Sequence, residues 1–456
     1  MSNRVKRTYL DVIKFINIAA VAVLFGLGWW NYYNHLAKSR YSLTATVVFV
    51  ALYAIVYATY ADIYKAFEFY VSRISELVYS QFLAIFISDV IIFIVMWLLI
   101  KGTHIPNVLP HLLVMASQML FCVGWSFVSH HWYYRKFPPK ETAIIYDMRE
   151  DVDKLIEEHQ MEANYHVCRI MSAEECIAKG VDLSGIESVF ICGVHSHDRN
   201  IIIKYCVKNN IESYIIPRVG DVIMSSAERV NLLHLPMLRV THYEPTIGFV
   251  VMKRLIDIVL SAIALILLSP FMIITAIAIK ATDGGPVFYK QCRLTKDGRK
   301  FNVLKFRSMR VDAEKDGVAR LSTGDSDDRI TPVGRFIRKV RIDELPQLIN
   351  ILKGDMSIVG PRPERPEIAE DYEKTLPEFG FRLQAKAGLT GYAQVYGKYN
   401  TTPYDKLQMD LMYIAKPSLM EDLRIMFATI KILFVPESTE GIAEGSTTAM
   451  EQEKGN

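Results

Sequence analysis

The six cysteines of this 456-residue chain (Cys122, Cys168, Cys176, Cys192, Cys206 and Cys292) include no C-x-x-C pair and share no repeating spacing. That argues against both a zinc site and a disulfide framework, and they read as reduced thiols on the cytoplasmic side. Surplus charge is also scarce: a formal net charge of +3 gives no global case for a nucleic-acid partner. No small-residue cleavage pattern follows the first apolar run, so a removed signal peptide is not expected. Glycine is missing where a dinucleotide site would need it. The stretch YDMREDVDKL (146–155) follows a predicted first strand and offers only side chains, with Asp147, Glu150 and Asp151 set to repel a pyrophosphate.

What the chain does have is apolar sequence in long runs, 51% hydrophobic residues against 22% charged, which fits a part-membrane, part-soluble protein. Four runs of spanning length lie in residues 1–140, at about 15–30, 43–60, 82–100 and 112–128. Arg4, Lys6, Arg7, Lys14, Lys65, Arg73, Arg135, Lys136 and Lys140 flank them on one side, against Lys38, Arg40 and Lys101 on the other. The basic side is expected to be cytoplasmic, and four crossings return the chain there. Asp89 lies inside the third run, either as a functional group or as a bundle-facing acid bonded to a neighbour such as Ser88 or Ser117.

Residues 141–250 change character, with short apolar runs TAIIYD, SVFICG and SYIIP alternating with helical stretches such as DRNIIIKYCVKNN. This pattern predicts a small Rossmann-like parallel α/β domain with an altered ligand site, serving as a packing or regulatory module. The HSH at 195–197 reads either as loop or as a pair of metal ligands.

From Ile258 to Ile279 run 22 residues without a charge, flanked by Lys253, Arg254 and Lys280 and interrupted by Ser269-Pro270. A fifth crossing would put the basic remainder of the chain outside the cell. A re-entrant helix-break-helix over 254–280, bent at Ser269 and Pro270, is therefore expected, with an ordinary kinked span as the alternative.

Downstream, an adjacent acid pair, Asp343-Glu344, stands among many cations, including Lys305, Arg307, Arg338, Arg341, Arg362 and Arg365. Arginine forks suit phosphate oxygens, so Lys305, Arg307, Arg338 and Arg362 are candidate ligands of a substrate with more than one phosphate. A basic face toward anionic lipid is the other reading. DELPQLINILKG reads as a short helix closed by Gly354, which leaves the acids as either helix caps or reactive groups. Carboxylates can accept a phosphoryl group, and adjacent side chains point about 100° apart on a helix, so the two acids are not expected to share one task.

The motifs KFRSM (305–309), DRITPVGRFIRK (328–339), IDELPQLINILKGDMSIVGPRPE (342–364) and KAGLTGYAQVYGKYN (386–400) closely resemble those of the monotopic phosphoglycosyl transferases, the bacterial polyisoprenyl-phosphate hexose-1-phosphate transferases. The resemblance covers about 250–434 in order. It implies that Asp343 is a nucleophile toward the β-phosphorus of a UDP-sugar, that Glu344 helps to place Mg²⁺, and that Arg338 holds phosphate. It also implies that Pro361, Arg362 and Pro363 shape the nucleotide pocket, that UMP leaves, and that polyprenyl phosphate takes the sugar phosphate. Ala387, Lys398 and Tyr399 depart from the usual family residues.

The expected architecture is a membrane α-helical bundle of four transmembrane helices (1–140), a Rossmann-like α/β domain (141–250) and a mainly α catalytic domain (251–436) anchored by the re-entrant helix. A helix over SLMEDLRIMFATIKILF, opened by a Ser418–Glu421 capping box, is amphipathic enough to lie on the membrane, and 437–456 reads as a disordered tail. Such large forms begin exopolysaccharide, capsule or O-antigen synthesis at the bacterial inner membrane. The implied partners are a UDP-sugar, polyprenyl phosphate, membrane lipids and a second copy in a homodimer. A membrane-anchored nucleotide sensor or assembly scaffold with an inactive transferase-like domain is the reading from another class.

Overall fold

A computed structural model describes residues 3–37, 40–69, 74–100, 105–147, 156, 161–178, 180–242, 244–311, 329–397 and 401–432. Lys38, Arg73, Lys101, Glu150, Asp151, Lys398, Tyr399 and the tail 437–456 lie outside the described residues. The chain divides into two compact units, Met1–Ile216 and Pro217–Asn456.

The first unit begins with four helices: α1 (Asn3–Gly28, continued by a π-helical turn Trp29–Tyr33), α2 (Leu43–Ile63), α3 (Ile74–Ile100) and α4 (Leu109–Lys136). All four are long and apolar enough to cross a membrane. Each packs on the next, and α4 closes on α1. Polar side chains point inward and pair there. Tyr57 donates to Asn17 at 2.9 Å, and Gln118 donates to the Tyr53 hydroxyl at 2.9 Å and the Val21 carbonyl at 3.0 Å. Asp89 is buried, but its neighbour is not a serine. His111 Nε2 lies 3.4 Å from its carboxylate, while Ser88 and Ser117 donate to carbonyls of their own helices. A serine in a helix can bond back to its own backbone, so it need not serve the acid beside it.

The helices lead into strands β1 (Lys140–Tyr146) and β2 (Tyr165–Ser172), helix α5 (Ala173–Ala178), β3 (Ser188–Cys192), α6 (Ser196–Lys208) and β4 (Glu212–Ile215). The sheet order is β2-β1-β3-β4, and every pairing is parallel. Ala143, Ile145, Val189 and Ile191 pack on Ala173, Cys176, Ile202 and Cys206 from the two helices, while Ile144 and Cys192 pack on the other face against Ile156. The strands are thus apolar on both faces, as parallel sheets require. His195 occupies the N-cap position of α6, and its ring stands 3.6 Å from Asp147.

The second unit opens with α7 (Val219–Ser225) and an exposed hairpin, β5 (Glu228–Leu232) with β6 (Leu235–Arg239). Next come α8 (Ile247–Asp283), the hairpin β7 (Phe288–Leu294) with β8 (Lys300–Phe306), α9 (Pro332–Lys339), a 3-10 turn (Ile342–Glu344) and α10 (Gln347–Lys353). Strand β9 (Ser357–Val359), α11 (Pro366–Thr375), β10 (Gly388–Thr390), α12 (Tyr392–Tyr396), α13 (Pro403–Ala415) and α14 (Leu419–Ile432) complete it. Val219 and Val222 of α7 are buried in the main core with Leu407, Leu411 and Ile414 of α13.

Helix α8 is capped by Thr246, whose hydroxyl accepts from the Phe249 amide, and ends at Gly284 in the left-handed region. The expected interruption at Ser269-Pro270 is absent, because the helix runs through it. Proline has no N–H for the Ile266 carbonyl four residues back, and Ser269 Oγ donates to that carbonyl instead, at 2.8 Å. One face of α8 is docked along its length. Lys253 donates to Asp422 at 2.6 Å, Arg254 donates to the carbonyls of Ile351 and Leu352 at 2.6 and 2.8 Å, and Asp257 accepts the Ile358 amide at 3.0 Å. Further on, Ala264 and Leu265 meet Leu348 and Ile351, and Met272, Ala276 and Ile279 meet Phe306 and Ile337. The other face leaves Ile266, Leu267, Phe271, Ile274 and Ile277 exposed.

Arg254 donates to two of the last four carbonyls of α10, of which Ile351 O also accepts the Gly354 amide. Arg254→Met is expected to destabilise this unit by about 1.5–3 kcal/mol, the worth of one bond to a charged donor, because Ile351 O keeps the Gly354 amide. Thermal unfolding of the detergent-solubilised protein checks this, and an unchanged midpoint would mean that water replaces the guanidinium at no cost.

Candidate active site

The acid pair is not the first turn of the following helix. Asp343 and Glu344 form their own 3-10 turn, and α10 begins only at Gln347, behind Pro346. The expected continuous helix fails because the turn is closed by i→i+3 bonds, Glu344 N–H to Arg341 O and Leu345 N–H to Ile342 O. Arg341 takes φ 54°, a left-handed conformation that turns the chain sharply out of α9. No side-chain cap at α10 uses either acid. Ile342, next to Asp343, packs into the cluster formed by Ile279 of α8, Phe306 of β8 and Ile337 of α9.

The two carboxylates differ in their surroundings. Glu344 Oε1 accepts from Lys305 Nζ at 2.9 Å and from Arg362 Nη2 at 3.1 Å, and Arg341 Nη1 lies 3.8 Å from Oε2. Among the described residues Asp343 takes none of these contacts, although Lys305, Arg338 and Arg362 act on it through space. Burial and the adjacent Glu344 charge push the Asp343 carboxyl up to about 6, against the pull of those three cations. Burial also works against ionised Glu344, but Lys305, Arg362 and Arg341 outweigh it and hold that carboxyl well below the usual range. One acid is thus fixed as an anion, and the other stays half-buried, unpaired and titratable near neutrality.

Pro361, Arg362 and Pro363 follow β9, which pairs in parallel with β10. Glycine is required on both sides here, because a Cβ on Gly388 would stand 2.2 Å from the Gly360 nitrogen. The backbone beyond is held at successive carbonyls: the Gly388 amide donates to Pro361 O, Arg382 Nη2 to Arg362 O and Arg293 Nη1 to Pro363 O, each at 2.9 Å. The Arg362 side chain is 42% exposed and leans over the acid pair. Arg307 is buried where α8 passes into β7, its amide bonded to Val287 O. Ser269 and Pro270 lie in mid-helix, within α8.

Sequence reasoning missed several residues. Lys253 and Arg254 look like membrane flanks, yet they are docking groups with Asp422 and α10 as partners. The signal was Asp257, an acid at the very start of an apolar run that needed a partner. The pair Arg382–Asp410, almost fully buried, left no signal, because nothing local links residues 28 apart.

Glu344 and Asp343 offer only carboxylate oxygens, which suit a hard cation such as Mg²⁺, held by one or two carboxylates plus substrate phosphates. Glu344 Oε1 is committed to two cations, whereas among the described residues Oε2 has only Arg341, at 3.8 Å. Among the described residues no group of three His, Cys, Asp or Glu forms a complete protein cage.

Residues 249–436 match the family described as bacterial sugar transferase. The chain is 37% identical over 231 residues to an Aeromonas hydrophila UDP-N-acetylgalactosamine-undecaprenyl-phosphate N-acetylgalactosaminephosphotransferase, covering 50% of this chain and 53% of that protein. It is 38% identical over 199 residues to a Caulobacter vibrioides UDP-glucose:undecaprenyl-phosphate glucose-1-phosphate transferase, covering 42% and 74%. It is 30% identical over 427 residues to the galactosyl transferase CpsE of Streptococcus agalactiae, covering 85% and 93%. The match thus spans about half of the Aeromonas relative and nearly all of the streptococcal one. On these grounds, with the acid pair and its cations in the matched region, the chain belongs to the bacterial sugar transferase family.

Proposed function

We propose that the protein transfers a hexose 1-phosphate from a UDP-sugar to polyprenyl phosphate through a covalent phosphosugar on Asp343. The observation that carries this reading is the inequality of the two acids, a salt-bridged Glu344 beside an unpaired, titratable Asp343. An Asp343 oxygen attacks the β-phosphorus, a new O–P bond forms, and the bond to the bridging oxygen breaks with UMP as leaving group. An oxygen of the polyprenyl phosphate then attacks the same phosphorus, the Asp343–phosphorus bond breaks, and the free carboxylate returns with polyprenyl-diphospho-sugar as product. Arg338 and Arg362 offset phosphate charge on either side of the acid, and Lys305 keeps Glu344 ionised.

Glu344 would be the residue to hold Mg²⁺, whose chemistry there would be to offset charge on the leaving UMP. Pro361 and Pro363, with carbonyls held from behind, make a rigid wall for the nucleotide. The sugar that the enzyme takes is a hexose or its N-acetylated form, in keeping with the names of its relatives.

Such a reaction needs a soluble nucleotide and a lipid at one interface. Helix α8 is docked to the same unit from Lys253 to Ile279, a rise of about 39 Å. A helix crossing a bilayer of about 30 Å could not keep one water-soluble unit against both ends, so this contact supports a helix that enters and leaves on one face. With the basic flanks of α1 to α4 cytoplasmic, that face is the cytoplasmic side of the bacterial inner membrane.

Asp343→Asn is expected to cut UMP release at least about 1,000-fold while leaving a folded membrane protein, since an amide keeps the shape but cannot attack phosphorus. Wild-type rates would remove Asp343 from the chemistry. Given UDP-sugar and no lipid, the wild-type enzyme should release one UMP per active site in a burst. A raised carboxyl stays protonated to higher pH, so the rate should fall about tenfold per unit below pH 6. Glu344→Gln removes the adjacent negative charge and frees Lys305 and Arg362 for Asp343. Its residual activity should therefore show the acid limb at lower pH, and a limb that stays put or rises would contradict the division of roles.

A further inference from the structure

We propose that Arg382 is a positioning residue for the transfer: clamped on Asp410 and donating to the Arg362 carbonyl, it sets where the Arg362 side chain meets Glu344. This rests on the reading of the acid pair given under Proposed function.

Arg382 lies in the 3-10 segment Pro377–Gln384, with its side chain 4% exposed. Nε and Nη2 donate to Asp410 Oδ2 at 2.9 and 2.5 Å, and Asp410, on α13, is itself 1% exposed. Nη2 also donates to Arg362 O at 2.9 Å, Nη1 stands 3.7 Å from Glu364, and the Phe379 ring lies 4.9 Å from the guanidinium carbon. A buried ion pair is in itself weak evidence for stability, because desolvation offsets the attraction. What sets this one apart is its third bond, which lands on the residue that reaches the catalytic acids.

Arg362 needs such a hold. Its side chain is long, 42% exposed and rich in rotamers, yet it must meet Glu344 Oε1 at 3.1 Å. Fixing its backbone from inside the unit removes part of that freedom. The adjacent carbonyl of Pro363 is held in the same manner by Arg293. Lysine could not replace Arg382, since a single ammonium does not reach Asp410 and Arg362 O in a planar fork.

The test is a double-mutant cycle in the full-length detergent-solubilised enzyme, with Arg382→Lys, Arg362→Ala and the double variant. Arg382→Lys alone is expected to lower kcat/KM for UMP release about tenfold and move the acid limb to higher pH, because a strayed Arg362 no longer favours ionised Asp343. Added to Arg362→Ala, it should change kcat/KM less than about twofold and leave the limb in place. Equal losses in both backgrounds, or a lower unfolding midpoint with kcat/KM and limb unchanged, would make Arg382 merely structural and overturn the proposal. Where Arg382→Lys does not fold, Asp410→Asn, of the same size and still an acceptor, carries the same cycle. Activity of Asp343→Asn would fail the reaction itself, whereas additivity with Asp343→Asn inactive fails only the brace.

Discussion

Two adjacent carboxylates cannot both lose water and stay ionised without cations beside them, and this constraint organises the transferase unit. Lys305 comes from β8, Arg341 from the turn after α9 and Arg362 from the loop after β9, and all three serve Glu344. The adjacent like charge would otherwise cost several kcal/mol in a partly buried site. Once Glu344 is neutralised, Asp343 is left as the group whose charge is negotiable. In the proposed reaction, a nucleophile that gathered the salt bridges for itself would be a stable anion but a poor attacker, since its lone pairs would already be bonded.

The strands and turns around the pair are explained by the same demand. Arg341 occupies a left-handed conformation, unfavourable for a side chain bearing Cβ, and the turn it makes brings α9 and the acids together. Asn350 of α10 is buried and bonds both the Leu304 amide and the Asn302 carbonyl, which fixes β8, and so Lys305, against the helix after the acids. The Arg362 loop is held by its backbone carbonyls from behind, while its side chain reaches forward to Glu344. Polar groups away from the acid pair thus determine the geometry of those around it.

Much of this was legible in the sequence, for reasons of range. The four apolar runs and the parallel strands β1, β3 and β4 depend on local composition, and they lie where patterning put them. Strand β2 escaped because it is an edge strand whose residues, from His166 to Ile170, are mostly exposed and interleave polar with apolar, so that neither period dominates. The acid pair and its arginines were visible as a motif, but their pairing was not. Lys305 and Arg362 lie 39 and 18 residues from Glu344, and only the fold decides which carboxylate they reach. The helix continues through Ser269-Pro270 for a local reason: a hydroxyl one residue before the proline fills the acceptor that the proline leaves open.

Helix α8 joins the membrane problem to the chemical one. Its docked face carries ionic groups near its start and small or apolar ones further along, while its other face exposes apolar side chains from Ile247 to Ile277. Arg254 ties it to the end of α10, and Ile279 meets Ile342, the residue before Asp343. The acids are therefore braced on α8 at two separated points, through α10 behind them and through Ile342 in front. Whatever depth α8 adopts in the lipid fixes the height of Asp343 above it to within the length of a few side chains. A polyprenyl phosphate carries its reactive oxygen at a fixed height as well, at the headgroup level of the bilayer. In the proposed reaction, bracing Asp343 against α8 at two points, rather than on a loop hinged to it, makes the two heights coincide without any domain movement.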